Sequence, residues 1–331
     1  MNKKTQRSHS SSLEHSLRLP TTFAESIERI KIFALQEFER EIAQKQLYYH
    51  TYEHVNNVQR RSQHIFQVVR PYWEVASSQD QPPISLPRME LLLTLCAFAH
   101  DMVQIFIPPT QPHTARKRQP GVSEMATIDQ LLEYINELNQ QLTTSDQDSP
   151  ARLTNEDLTI IRDAIETTIC AYDTTEQAIY QPKLTQDNQS LSLVARILAL
   201  ADIGALGLDG IKVYNREGSQ LFLEENLDVI PLLLDGTIHS LSASNWELYE
   251  NIRQRLLSRC RFQVNFAKSR LARFEREVAD FPPDAISELT HKVFKYLNAT
   301  TIQEVEKITP TDENTSLEVL LQFFKFEQYI N

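Results

Sequence analysis

Histidines and aspartates at three places in this chain sit where metal chemistry would need them. The run Tyr49-His50-Thr51-Tyr52-Glu53-His54 carries two histidines four residues apart. On a helix, positions i and i+4 share a face, so His50 and His54 are expected to project together. Two such imidazoles can bind one metal ion jointly, or one can bind while the other handles a proton. The same spacing also fits two ordinary amphipathic histidines. A second pair, His100-Asp101, closes the apolar run Leu91 to Ala99. Asp is almost never fully buried without a partner, and a helix C-terminus disfavours a carboxylate, so a cation is expected there. An arginine partner, or a helix that surfaces at His100, satisfies the same pattern. The third is Asp202, again directly after an apolar run, Leu193 to Ala201, and followed by Gly204, Gly207 and Gly210. Those glycines suggest backbone held close to something; a plain turn explains them equally well.

The elements that must position these groups read as helices. Only 6 glycines occur in 331 residues, where soluble proteins average roughly 7 %, and neither hairpin-rich sheets nor glycine phosphate loops fit so small a supply. Helices are predicted from Phe23 to Tyr49, from His50 to about Val69 with a stop before Pro71, from Leu86 to Phe106, from Leu191 to Ala201 and from Trp246 to Ala279. A final helix is predicted over Leu317 to Tyr329, docked through Leu320, Leu321, Phe323, Phe324 and Phe326. Ile107 to Pro120, with four prolines, and Thr143 to Pro150 read as surface loops. No strand is required. Trp73 and Trp246 read as core residues, and His64, His113, His239 and His291 as ordinary ones.

Composition narrows the partners. A formal net charge of −11 argues against a nucleic acid polymer, which needs a basic face, but leaves room for a small phosphorylated substrate held by a few local cations. Cys96, Cys170 and Cys260 are odd in number and far apart, as expected for reduced thiols. The apolar runs are too short for a membrane span and the N-terminus has no apolar signal core, so a cytoplasmic protein is expected. Oligomeric state is not legible.

The order H…HD…D, each member of ligand type and each on a predicted helix, resembles the defining pattern of the HD superfamily of metal-dependent phosphohydrolases. YHTYEHVNNV resembles the YHNxxHxxDV motif of the class I cyclic-nucleotide phosphodiesterases within it, AFAHD the HD motif, PGVSE at Pro120–Glu124 the HPGVSN stretch, and ALADIGALG the segment bearing the last Asp. The resemblance covers about Tyr49 to Gly210. It implies an all-α HD-domain bundle, with His54, His100, Asp101 and Asp202 as metal ligands and His50 as proton donor to the leaving oxygen. It departs at Thr51 and Asn57, which replace the motif's Asn and Asp, and at the loop from Gln104 to Pro120 that separates HD from PGVSE. Ala164–Asp173 lacks the further histidine many HD enzymes use for a second ion, so one divalent ion is expected (Mn, Fe, Co, Zn or Mg) rather than a pair.

The reaction so implied is hydrolysis of a phosphate ester, monoester or diester, by a metal-activated water that Asp101 helps to orient. Arg61, seven residues after His54, and the basic loop Arg116, Lys117, Arg118 are candidate phosphate contacts; Glu124 is a candidate for orienting water. A metal- or nucleotide-binding regulatory module with little turnover is the alternative, and a helical interaction protein with an accidental HD pattern a third. The domain reading is a polar disordered tail over 1–20, the HD-type domain over 21–280 and a packed helical extension over 281–331.

Overall fold

The computed structural model describes residues 18–77, 85–185 and 191–330. The expected tail falls almost entirely outside them. Among the described residues the chain is all-α, with fourteen helices and two short antiparallel ribbons. Three helices build the centre. α1 (Phe23–Lys45) packs on it, α2 (Tyr52–Ser77) and α3 (Leu86–Ala99) cross within it, and α4 (Val122–Ser145) and α5 (Asn155–Thr167) cover it before α6 (Leu193–Asp202) enters. α3 and α6 are apolar nearly all round, and Leu92, Leu93, Leu95, Cys96, Ala97 and Ala99 of α3 are buried together with Leu193–Ala201 of α6. Such helices have no solvent face to offer, so they end up inside, against each other and against the stripe Val58, Ile65, Phe66 and Val69 of α2.

The second half adds α7 (Ala205–Asp209), α8 (Ile211–Glu225), α9 (Ile230–Leu234), α10 (Leu241–Ser244), α11 (Trp246–Glu277), α12 (Pro283–Glu288), α13 (Ala299–Ile308) and α14 (Leu317–Phe324). The 32 residues of α11 span about 48 Å. Its C-terminal half (Val264, Ala267, Phe274) belongs to the central core, while its first half (Leu248, Ile252, Leu256, Cys260) joins Phe222, Leu320, Phe324 and Phe326 in a second core. The aromatic C-terminal helix is thus docked, although it stops at Phe324 and continues only as a 3-10 turn, Phe326–Gln328. Gly207 lets α7 lie on Phe294: a Cβ there would sit 2.7 Å from that ring.

Several boundaries differ from expectation, each for a physical reason. α1 ends at Lys45, where Gln46 takes φ +50°, and the backbone N–H groups of Tyr48, Tyr49 and His50 donate to the Glu224 carboxylate rather than to helix carbonyls. His50 therefore precedes α2 instead of lying on it. α2 runs through Pro71 to Ser77. Packing on both sides of the proline, including Trp73 against Phe281 with ring centroids 6.4 Å apart, outweighs its one missing hydrogen bond. The helix expected to reach Phe106 stops at Ala99, and the chain turns at His100 and Asp101. α4 carries through Thr143 to Ser145, shortening the expected loop. Strands do occur: β1 (Phe106–Ile107) pairs with β2 (Lys117–Arg118), and β3 (Ala171–Asp173) with β4 (Ala178–Tyr180). Trp246, expected in the core, is 63 % exposed. Among the described residues no helix is long and apolar enough to cross a membrane.

Candidate metal centre

Three separate elements bring their ends to one point. His54 lies in the first turn of α2, His100 caps α3 with Asp101 next in the turn, and Asp202 is the last residue of α6. One ligand atom from each of the four lies within 4.8 Å of all the others. His54 Nε2 is 3.0 Å from Asp101 Oδ2 and 3.6 Å from Asp202 Oδ1, and His100 Nε2 is 3.1 and 3.6 Å from the same two atoms. Atoms about 2.1 Å from a shared ion, at angles between about 90° and tetrahedral, stand about 3.0–3.4 Å apart. The spacing therefore suits a single divalent ion.

The donor chemistry fits as well. His100 Nδ1 donates to the Ala97 carbonyl at 3.0 Å, which leaves Nε2 as a lone pair facing the carboxylates. Neither Nε2 makes a hydrogen bond, although both are buried. Lone pairs and carboxylate oxygens facing one another repel unless a cation stands between them. The electrostatics carry the same demand: burial pulls His100 down, but Asp101 and Asp202 outweigh it and push its pKa up to about 10. Asp101 is held well below the ordinary carboxylate range, burial notwithstanding, by His100 and His50. The helix C-termini at both aspartates add partial negative charge. The cluster asks for positive charge, as a proton or as a metal.

Each carboxylate is oriented by a glutamine. Asp101 gives Oδ2 to the histidines while Oδ1 accepts from Gln104 Nε2 at 3.1 Å; Asp202 gives Oδ1 while Oδ2 accepts from Gln181 Nε2 at 3.2 Å. Such outer partners fix which oxygen faces an ion. Beside them stands His50. Its Nδ1 makes a very short bond to Glu224, whose carboxylate also collects the three backbone N–H groups of Tyr48, Tyr49 and His50. Against burial, His50 and these backbone donors hold Glu224 down to about 2. An ionised Glu224 only accepts, so the His50 proton is on Nδ1. In the neutral ring Nε2 then accepts from Arg118 Nη1 at 2.7 Å, and it lies 3.7 Å from Asp101 Oδ2.

The other sequence candidates separate. Arg118, on β2, joins the cluster, and its Nη2 donates to Glu124 Oε1 at 3.0 Å. Glu124 is 8 % exposed and its Oε2 has no partner. Arg116 is spent on the backbone carbonyls of Glu224, Lys45 and Gln46, clamping the end of α1 to α8. Lys117 points to solvent. Arg61 shares the cluster's half of the fold but is fully buried between Asp209 and Glu217, at 2.7 and 2.5 Å. The glycines 204, 207 and 210 meet neighbouring helix atoms and the rings of Phe294 and Tyr296.

A cavity of about 470 Å³ opens onto His50, Asp101, Arg118, Glu124, Asp202 and Glu224. Its remaining wall is different. Ile179, Leu221, Phe262 and Phe266 supply apolar surface, and Gln263 stands among them. Gln263 is 2 % exposed, yet neither its Oε1 nor its Nε2 has a hydrogen-bond partner. It leans on Gly218, where a Cβ would come 2.3 Å from Nε2. A buried amide with unmet donor and acceptor, flanked by aromatic rings, suits a planar polar ring. Gln104, Gln181, Glu224 and Gln263 are the residues sequence reading missed. Only Gln263 leaves a local trace: it interrupts the buried stripe Cys260, Val264, Ala267 on α11. No protein-family model, curated protein or solved structure matches the chain.

Proposed function

We propose that the chain is a metal-dependent phosphohydrolase of the HD type, acting on a nucleotide. One observation carries the reading: two imidazole Nε2 atoms each stand 3.0–3.6 Å from the same two carboxylate oxygens, with all four atoms within 4.8 Å of one another, next to a histidine whose Nδ1 is fixed by a buried glutamate. His54, His100, Asp101 and Asp202 would hold the ion. Bound there, a divalent cation supplies Lewis acidity, lowering a water pKa from about 15.7 towards about 7 and polarising a phosphoryl oxygen. The rest falls to the chain. Asp101 and Glu124 orient the attacking water by accepting its protons, and Arg118 neutralises phosphate charge. As a phosphate oxygen draws Arg118 away, His50 Nε2 comes free to carry a proton while Nδ1–H stays on Glu224. Water oxygen joins phosphorus as its proton passes to Glu124, the ester P–O bond breaks, and His50, having taken a proton from solvent at Nε2, gives it to the departing oxygen. Gln263 and the neighbouring rings suit a nucleobase.

The test is a panel of nucleoside monoesters and diesters assayed with added Mn²⁺ and after chelation. Metal-dependent release of nucleoside, phosphate or nucleotide is expected; full turnover in a stripped sample overturns the reading. The regulatory alternative draws on one observation, the occupation of His50 Nε2 by Arg118. It predicts nucleotide that binds and survives unhydrolysed.

A further inference from the structure

A second depression adjoins the metal cavity. This open groove of about 830 Å³ shares Glu225, Arg259 and Phe262 with the cavity as a common wall. Its other side is the first three turns of α11. Trp246, the most exposed large apolar side chain among the described residues, stacks on Tyr249 with ring centroids 5.0 Å apart and planes 17° apart. One indole face is thus backed and held, and the other is available to a flat ligand. Among the groove-lining residues of this helix, three buried polar atoms have no partner: Asn251 Oδ1, Arg255 Nε and Arg259 Nε. Arg259 stands in the shared wall, and among the described residues its one carboxylate neighbour, Glu225, is 3.9 Å away. Its guanidinium keeps donors for an anion lying between cavity and groove.

We propose that this groove is a second subsite that receives the outer nucleoside of a linear dinucleotide, deepening the hydrolase reading on which it rests. The inner nucleoside would occupy the cavity at Gln263, Arg259 would meet the linking phosphate, and the outer base would stack on Trp246 with its edge near Asn251. Aromatic stacking accepts any base. The groove's acidic residues Glu247 and Glu250 oppose a long polyanion, so the ligand is a short one.

Binding tests this without turnover. Phosphorothioate-linked dinucleotides of the four bases, and the matching mononucleoside phosphorothioates, are titrated by calorimetry into the Mn²⁺-loaded full chain. At least one dinucleotide should bind about tenfold more tightly than its mononucleotide, with Trp246→Ala and Asn251→Ala each removing most of that advantage and changing mononucleotide affinity by less than about twofold. Equal affinity within every pair, or an advantage that survives both substitutions, overturns the subsite. Failure of the hydrolase reading is seen separately: a natural dinucleotide that carries a terminal phosphate on its inner nucleoside, on the side of His54, His100, Asp101 and Asp202, then binds and keeps that phosphate in the presence of metal.

Discussion

The two walls of the cavity are built on opposite plans. The ion-binding wall is delivered by helix ends: α2, α3 and α6 are locked in a common core, and His54, His100, Asp101 and Asp202 project from where they begin or stop. The ring-binding wall comes from segments far apart in the chain, the β3–β4 ribbon, the middle of α8 and the middle of α11. Helix ends inside a packed core set atoms to within tenths of an ångström. A wall assembled from helix faces fixes shape but leaves Gln263 without partners. On the proposed function, chemistry would belong to the first wall and choice of substrate to the second.

That division can be broken in order of expected effect. His50→Asn and Glu224→Gln should lower kcat by about 10²–10⁴-fold through lost proton transfer, while bound metal measured by elemental analysis stays stoichiometric. If metal leaves with the activity, the two residues belong to the ligand set instead. Gln104→Leu and Gln181→Leu should weaken metal affinity about 10–100-fold, read by competition with a chromophoric chelator; unchanged affinity would detach both glutamines from the site. Gln263→Leu, or Gly218→Ala, which crowds the amide, should raise KM about tenfold with kcat held within about threefold. A fall in kcat alone would place the ring wall in the chemistry and erase the contrast.

The smallest effect is a control on stability. Asp157, in the first turn of α5, completes a capping box with the N-cap Thr154 and accepts from Arg88 at 2.5 Å. Against burial, Arg88 and Thr154 hold its pKa below 3.8. A depressed carboxylate stabilises the fold above its unfolded pKa, about 3.9, and loses that contribution as pH falls through the lower folded value. Asp157→Asn should therefore reduce Tm at pH 7, converge on wild type under acid, and leave metal content and KM alone. A Tm difference that persists below the folded pKa would assign the loss to packing.

The contrast also explains what could be read in advance. His100, Asp101 and Asp202 end runs of apolar residues, so burial and ligand type coincide within a few positions. Those positions and the all-helical architecture were legible for that reason. His50 illustrates a partial reading: the residue is at the cluster, but the helix expected to carry it begins only at Tyr52, because Glu224, 174 residues away, captures its backbone N–H. Periodicity cannot register such a partner. Glu224 and Gln181 look like ordinary polar residues until the fold buries them. Arg61, on the helix face of His54, and Arg118, in the basic loop, were equal candidates for a phosphate in sequence. Asp209 and Glu217 enclose one, and the ribbon turns the other toward Asp101.

The most direct measurement is the metal content of the purified full chain beside Asp101→Ala and Asp202→Ala, with the thermal shift of each on adding Mn²⁺ or Zn²⁺. Wild type should hold close to one transition-metal ion per chain and lose Tm on chelation, whereas both variants should hold none and show no shift. Retention of metal by either variant, or a wild type that neither binds metal nor responds to it, would contradict the account.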